Sequence, residues 1–110
     1  MHVQIIEFRL RGITEEGYRE VCERIAPAFA EIPGLLAKIW LADTDAGTYG
    51  GVYLFRDREA LQAFAESELF AEVAAFPDFT DITARDFAVM EDLTRITQRE
   101  VRLPVGATVS

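Results

Sequence analysis

The sequence predicts one α+β domain of the ferredoxin-like kind, in which the order βαββαβ builds a four-stranded antiparallel sheet with two helices on one face. The first supporting observation is length, because 110 residues suit one core and would leave two halves each too small. The second is composition: half of the residues are apolar, which is enough for a core without disulfides or structural metal. The third is the period of the apolar residues, which switches between two and 3.6 along the chain.

The first half of the chain has the pattern of a strand, a helix and a hairpin. Residues 3–10 alternate apolar and charged side chains and predict the first strand. Thr14 can cap the helix that an apolar stripe predicts over residues 15–32. Residues 35–42 and 48–55 are rich in apolar and aromatic side chains, and the Gly- and Asp-containing turn between them predicts a hairpin.

The second half adds a helix, a strand and an arm. Asp57 is placed to cap a second helix, and Ser67 could cap a fresh turn, so we expect this helix to be broken there. Residues 79–91 alternate well enough to predict the fourth strand. We therefore assign residues 1–92 to the domain and residues 93–110 to a C-terminal arm that contacts a partner subunit.

The predicted hairpin is apolar on both of its faces. Two helices can cover only one face of a four-stranded sheet, so the other face needs an external cover. A second copy is the simplest cover, because two identical faces can pack sheet on sheet around a two-fold axis. The sequence therefore predicts a homodimer that forms an α+β barrel.

Charge and composition exclude several kinds of partner and site. The 19 acidic and 11 basic residues give a net charge of −8, which repels nucleic acid. No leader sequence opens the chain, and no stretch approaches the roughly 18 apolar residues of a membrane span, so we expect a cytoplasmic protein away from membranes. Cys22 and His2 are the only residues of their types, and no HExxH, Walker or GxGxxG pattern occurs. We therefore expect no metal and no cofactor.

One cluster of aromatic and basic residues on the hairpin could carry chemistry. Lys38 and Trp40 share one face of its first strand, and Tyr53 and Phe55 share one face of its second. Trp40 should lie across from the glycine pair at 50–51. One interpretation is core packing in which the glycine gap holds the indole, and the other is a flat slot for a planar ligand. Lys38, the only lysine, is either a snorkelling charge or a buried functional amine.

Arg85 is a second basic candidate, on the predicted fourth strand among apolar neighbours. It could clamp an acidic or phenolate ligand. It could equally pair with Asp86 or with a carboxylate of a partner chain.

Residues 34–64 carry a Gly-Leu-Leu-x-Lys-x-Trp strand, a Gly-Gly-x-Tyr-Leu-Phe strand and the Ala-Leu that opens the second helix. These features resemble the YdhR-type monooxygenase family of the dimeric α+β barrel superfamily, which includes the antibiotic-biosynthesis monooxygenases. Ala26-Pro27 and residues 86–98 resemble the same family. The chain differs from the wider superfamily in having Phe55 where a Trp is typical and Phe64 where a His is typical, as the YdhR-like branch also does. Many superfamily members place that missing polar group beside the substrate.

The resemblance implies a cofactor-independent monooxygenase that oxidises a phenolic or polycyclic aromatic small molecule with dioxygen. The catalytic residues would then be Lys38, Trp40, Tyr53 and Arg85, and the substrate contacts Tyr18, Phe55 and Phe64. The resemblance and the apolar stripes both place the pocket between the helices and the sheet. A one-residue error in strand parity would instead send Trp40 and Tyr53 to the dimer interface.

Two other functions stay open at this point. One is a non-catalytic small-molecule-binding protein on the same fold, and the other is a cofactorless isomerase or lyase. A titratable group inside the pocket favours an enzyme. Binding becomes the better interpretation if Lys38 and Arg85 both face solvent.

Overall fold

The fold is described here for residues 1–99 of a computed structural model, and residues 100–110 are left undescribed. The elements follow one another as β1 (His2–Leu10), α1 (Glu15–Ala30), β2 (Leu35–Asp43), β3 (Thr48–Phe55), α2 (Arg58–Ala65), α3 (Glu68–Ala74), β4 (Phe79–Ala88) and α4 (Glu91–Thr97). Within the described residues, no helix is long and apolar enough to cross a membrane.

The four strands form one antiparallel sheet in the order β2-β3-β1-β4. β1 and β3 are central, and β2 and β4, which each follow a helix, lie at the edges. This arrangement confirms the predicted ferredoxin-like α+β fold.

The core lies between one face of the sheet and helices α1 and α2. It is largely aromatic, because the strands and helices contribute rings that stack edge-on or in parallel. Phe29 and Phe55 are the most deeply buried side chains. The other buried rings are Phe8, Tyr18, Tyr49, Tyr53, Phe64 and Phe79.

The register of the hairpin decides which face each side chain occupies. Trp40 pairs with Gly51, and Lys38 pairs with Tyr53, so these side chains lie on the helix-covered face. The opposite face carries apolar side chains without a cover in the single chain, and Ile39 is 60% and Phe87 50% exposed. The sheet therefore has a packed face and an open face.

The helices begin where their capping residues predict. Thr14 accepts a hydrogen bond from the backbone N–H of Gly17, and Asp57 accepts one from that of Ala60. Ser67 accepts one from the N–H of Phe70, so the predicted break separates α2 from α3. Each cap satisfies a donor that the first helical turn would otherwise leave free.

Two predicted boundaries are wrong by two to three residues. α1 ends at Ala30 instead of residue 32, because the N–H groups of Glu31 and Ile32 turn back to the carbonyls of Ala28 and Phe29. β4 ends at Ala88 instead of residue 91, because Ala88 pairs with the first residue of β1 and the ladder has no further partner. Residues 93–97 of the predicted arm belong to the helix α4. Its residues 100–110 lie outside the described part of the chain.

Candidate functional site

A cavity of about 300 Å³ lies between α1 and the β2–β3 hairpin. We call it the α1 cavity. Most of its wall is apolar or aromatic, with Trp40 and Ala42 from β2 opposite α1. The remaining lining side chains that matter below are Glu15, Tyr18, Cys22, Ala26 and Tyr49.

A hydrogen-bonded carboxylate lies at the mouth of the α1 cavity. The Tyr49 hydroxyl donates to Glu15 Oε1 at 2.6 Å, and the Thr44 hydroxyl donates to the same oxygen at 2.8 Å. These two hydrogen bonds lower the pKa of Glu15, with the bond from Tyr49 contributing most. Glu15 is thus held as a carboxylate that ties the start of α1 to the hairpin.

Two tyrosine hydroxyls and one thiol in this cavity stay protonated at neutral pH. Burial raises the pKa of Tyr18, and the hydrogen bond to Glu15 raises that of Tyr49. Burial also raises the pKa of Cys22, so its thiolate is disfavoured. The Tyr18 and Tyr49 rings lie 5.2 Å apart between centroids. The cavity therefore offers the neutral Tyr18 hydroxyl beside aromatic faces, whereas the Tyr49 hydroxyl is already bonded to Glu15.

A second cavity, of about 310 Å³, lies on the other side of the Trp40 region and contains Lys38. We call it the Lys38 cavity. Lys38 Nζ lies 3.3 Å from the ring centroid of Trp40, 3.6 Å from that of Phe29 and 4.7 Å from that of Tyr53. Burial lowers the pKa of Lys38 to about 7. Trp40 and Ala26 line both cavities.

The glycine gap on β3 accommodates the end of the lysine stem, whereas one interpretation of the sequence put the indole of Trp40 there. A Cβ atom on Gly51 would lie 2.9 Å from Lys38 Cε and 3.3 Å from both Tyr53 Cε1 and the backbone oxygen of Ile39. Such distances require the lysine to move. Gly51 therefore opens the path along which Lys38 reaches its three aromatic rings.

The structure brings together some of the predicted site residues and separates others. Lys38, Trp40 and Tyr53 form one cluster, and Trp40 also shares the α1 cavity with Tyr18. Phe55 and Phe64 do not line either cavity. They are 0% and 3% exposed, because they stack within the core behind Tyr53.

Arg85 does not join this cluster. It pairs with Ile5 in the ladder and lies on the open face of the sheet, with its side chain 62% exposed. Its guanidinium Nη2 is 3.9 Å from Glu7 Oε2, so its partner in the chain is Glu7 and not Asp86. Strand parity explains the separation, because Arg85 lies beside Ile5, whose side chain also points away from the helices.

Sequence reasoning missed Glu15, Cys22 and Tyr49 as cavity residues. Glu15 opens the helix predicted over residues 15–32 and Cys22 lies within it, and neither position by itself indicates a cavity. Tyr49 shares a strand face with Tyr53, which is the one signal that could have found it. In the described part of the chain, no three His, Cys, Asp or Glu side chains are grouped so as to hold a metal ion.

Solved structures of three other proteins have the same fold. The heme-degrader MhuD from Mycobacterium tuberculosis, with two hemes bound in its active site, is 22% identical, with a TM-score of 0.66, covering 82% of this chain and 96% of that one. SnoaB, a cofactor-independent oxygenase from Streptomyces nogalater, is 20% identical, with a TM-score of 0.65 and coverages of 80% and 91%. An antibiotic biosynthesis monooxygenase described as putative, from Deinococcus radiodurans, is 12% identical, with a TM-score of 0.64 and coverages of 94% and 99%. No curated protein sequence matches the chain.

These likenesses show that the chain shares its α+β fold with the three proteins. Residues 3–100 match the family described as "Putative mono-oxygenase ydhR", and the chain belongs to that family. The family places the chain among the monooxygenases, which are oxidoreductases. This membership confirms the resemblance stated from residues 34–64.

Proposed function

We propose that this chain is a cofactor-independent monooxygenase that oxidises a phenolic or polycyclic aromatic small molecule with dioxygen, bound in the α1 cavity. The observation that carries the proposal is the pairing of aromatic walls with the protonated hydroxyl of Tyr18 in that cavity. A planar ligand can stack on Trp40, and the hydroxyl of Tyr18 can donate to an oxygen on its edge.

The proposed oxidation needs few catalytic groups from the protein, because the substrate itself supplies the electrons. A phenolic substrate with an acidic CH₂ group loses a proton, and its carbanion reduces dioxygen. The resulting peroxide loses water to leave a C=O group, so that CH₂ and O₂ become C=O and H₂O without an external reductant. The protein must hold the substrate, stabilise the enolate oxygen and exclude bulk water.

Each predicted catalytic residue has a definite place in this proposal. Trp40 supplies a stacking face, and Lys38 supplies positive charge behind that indole without itself lining the α1 cavity. Tyr53 supports Lys38, whose Nζ lies 4.7 Å from the centroid of its ring. Arg85, on the open face, has no part in this cavity.

The donor set of the chain does not favour the heme bound by the neighbouring MhuD structure. His2, the only histidine, is the first residue of β1 and lines neither cavity. Its Nε2 lies 2.6 Å from Asp86 Oδ2. Tyr18 and Cys22 line the α1 cavity, but their raised pKa values disfavour the anionic forms that bind iron. The proposal therefore includes no step through heme.

A second copy of the chain is the partner that we propose for the open face. Val3, Ile5, Val52 and Leu54 add partly exposed apolar area to that of Ile39 and Phe87. A contiguous apolar face on a soluble protein marks an interaction site, and identical faces can satisfy a two-fold axis. The α1 cavity lies on the other face of the sheet and stays accessible in such a homodimer.

The direct test is oxygen uptake with a panel of anthrones and quinols in the presence of a chelator, without added flavin or metal. We expect one O₂ consumed per molecule of the preferred substrate. Tyr18→Phe should lower kcat about 100-fold, since removing one oxyanion donor has effects of that order. Tyr53→Phe is the matched control, because Tyr53 lines neither cavity, and it should retain more activity than Tyr18→Phe.

Three results would replace the proposal. Saturable ligand binding without oxygen uptake would indicate the non-catalytic binding protein. Product formation at the same rate under argon would indicate the isomerase or lyase. A Soret band that grows stoichiometrically on heme addition, with oxygen uptake only then, would indicate a heme-dependent reaction.

A further inference from the structure

The Lys38 amine has the surroundings of a nucleophile. It is the only lysine of the chain, and its Nζ touches ring faces of Phe29 and Trp40. Among residues 1–99, no carboxylate lies within 4.0 Å of it to form a salt bridge. An amine in apolar surroundings and without a counter-ion loses its proton more easily, which is how lysines become nucleophilic.

The cavity that contains this amine is otherwise apolar in its side chains. Its remaining lining residues include Ala26, Phe29, Ala30, Leu36 and Trp40. A compact aromatic molecule can therefore enter on hydrophobic grounds, and it meets one reactive group there. Because Lys38 is only half-buried as a residue and lines the cavity, we expect the amine to be reached from outside the core through this cavity.

The groups around the amine leave it partly neutral at pH 7. Burial lowers the pKa of Lys38 to about 7. The titratable side chains that face it are Cys22 of α1 and Tyr53 of β3, and burial raises the pKa of both, so neither supplies a negative charge at this pH. The faces of the three rings act in the opposite direction and favour the ammonium.

We propose that Lys38 captures an aromatic aldehyde or ketone in the Lys38 cavity as a Schiff base. The lone pair of the neutral amine attacks the carbonyl carbon, and the oxygen takes up a proton to give a carbinolamine. Loss of water then leaves the C=N bond, so that amine and carbonyl become imine and water. No oxidant or reductant is consumed, and the inference does not depend on dioxygen chemistry in the α1 cavity.

The test is reductive trapping with benzaldehyde and cyanoborohydride at pH 7, followed by intact mass and peptide mapping. We expect one benzyl group on the peptide that contains Lys38, at a rate that saturates with benzaldehyde concentration. The rate of Lys38 labelling should level off just above neutral pH. The α-amino group of Met1, whose labelling is measured on the N-terminal peptide, should react several-fold more slowly. Unfolding in urea should abolish this selectivity.

Two variants make the result specific. Lys38→Arg removes the amine and should lose the label, with circular dichroism confirming the fold. Gly51→Ala keeps the amine but displaces Lys38 Cε from its path, and it should slow trapping at least several-fold. An unlabelled Lys38 peptide, a rate that rises steadily to pH 10, or a rate linear in benzaldehyde would each overturn the proposal. Oxygen uptake is read separately, so failure of trapping and failure of the proposed oxygenase function cannot be confused.

Discussion

Two physical effects oppose each other at Lys38. Burial favours the neutral amine and lowers its pKa to about 7, whereas the ring faces of Phe29 and Trp40 favour the ammonium. An unfolded lysine titrates near pH 10.4, so between about pH 7 and pH 10 the unfolded chain holds a proton that the native chain has released. The free energy of unfolding therefore rises with pH across this window, and it has its lowest contribution from Lys38 below pH 7.

Replacing this lysine with an uncharged side chain should remove that pH dependence. We expect Lys38→Met to be more stable than the parent at pH 6, by on the order of 2 kcal/mol, and to show a smaller rise in stability up to pH 9. Urea unfolding at both pH values measures the difference. Arg24→Met, which removes an exposed charge from α1, is the matched control and should keep the parental slope. Equal slopes for Lys38→Met and the parent would contradict the burial argument.

At the scale of elements, local sequence signals specify the helices well. Thr14, Asp57 and Ser67 each cap the helix that they were expected to cap. Capping depends on groups within three residues of one another, so the chain needs no distant contact to make it. The predicted ends of α1 and β4 were less accurate, because the end of α1 depends on the turn that follows it and the end of β4 on where its partner strand stops.

The adjacent glycines of β3, Gly50 and Gly51, are required for different structural reasons. Gly50 has φ +149°, and a Cβ atom there would lie 1.9 Å from the carbonyl oxygen of Ile6, which is backbone and cannot move aside. Gly51 instead faces the flexible end of Lys38. Gly50 is therefore needed for the pairing of β1 with β3, whereas Gly51 is needed for the position of Lys38.

Alanine at each position should show this difference. Gly50→Ala should destabilise the protein by about 3 kcal/mol or more, since the β1–β3 ladder must open. Gly51→Ala should change the free energy of unfolding by about 1 kcal/mol or less while shifting the pH at which Lys38 titrates. Thermal unfolding and the pH profile of Lys38 trapping measure the two effects. Similar losses of stability in both variants would show that Gly51 is also needed by the sheet.

At the scale of the whole molecule, the single chain leaves one sheet face open. Ile39 on β2 and Phe87 on β4 lie at opposite edges of that face and are at least half exposed. β2 and β4 are the two edge strands, so a partner surface that covers both side chains must span all four strands. Sheet-on-sheet packing has that extent.

A charge on the open face should therefore break the proposed homodimer. We expect light scattering to give twice 12.4 kDa for the parent and about 12.4 kDa for Phe87→Glu at the same micromolar concentration. Gln62→Glu adds the same charge to the exposed side of α2 and should stay dimeric. A parent mass of 12.4 kDa would refute the dimer. The contact of the arm 93–110 with that partner stays a prediction.

The sequence alone determined the order of the elements from β1 to β4, the caps of α1, α2 and α3, the acidic charge, the scarcity of metal-binding side chains and the resemblance that the family match confirms. These are local or additive properties, read from neighbours within a turn or from a count. It also selected Lys38, Trp40 and Tyr53 as a group, because alternation along two paired strands brings them to one face.

Only the tertiary structure decided which face that is, and with it the separation of Arg85 from the cluster. A shift of one residue in strand pairing reverses every side chain, and no local signal distinguishes the two registers in a hairpin that is apolar on both faces. The two cavities likewise depend on how α1 packs across the hairpin, which brings Glu15 to Tyr49 over 34 positions of chain. Contacts of that separation follow from packing of the whole core, and periodicity along the chain does not encode them.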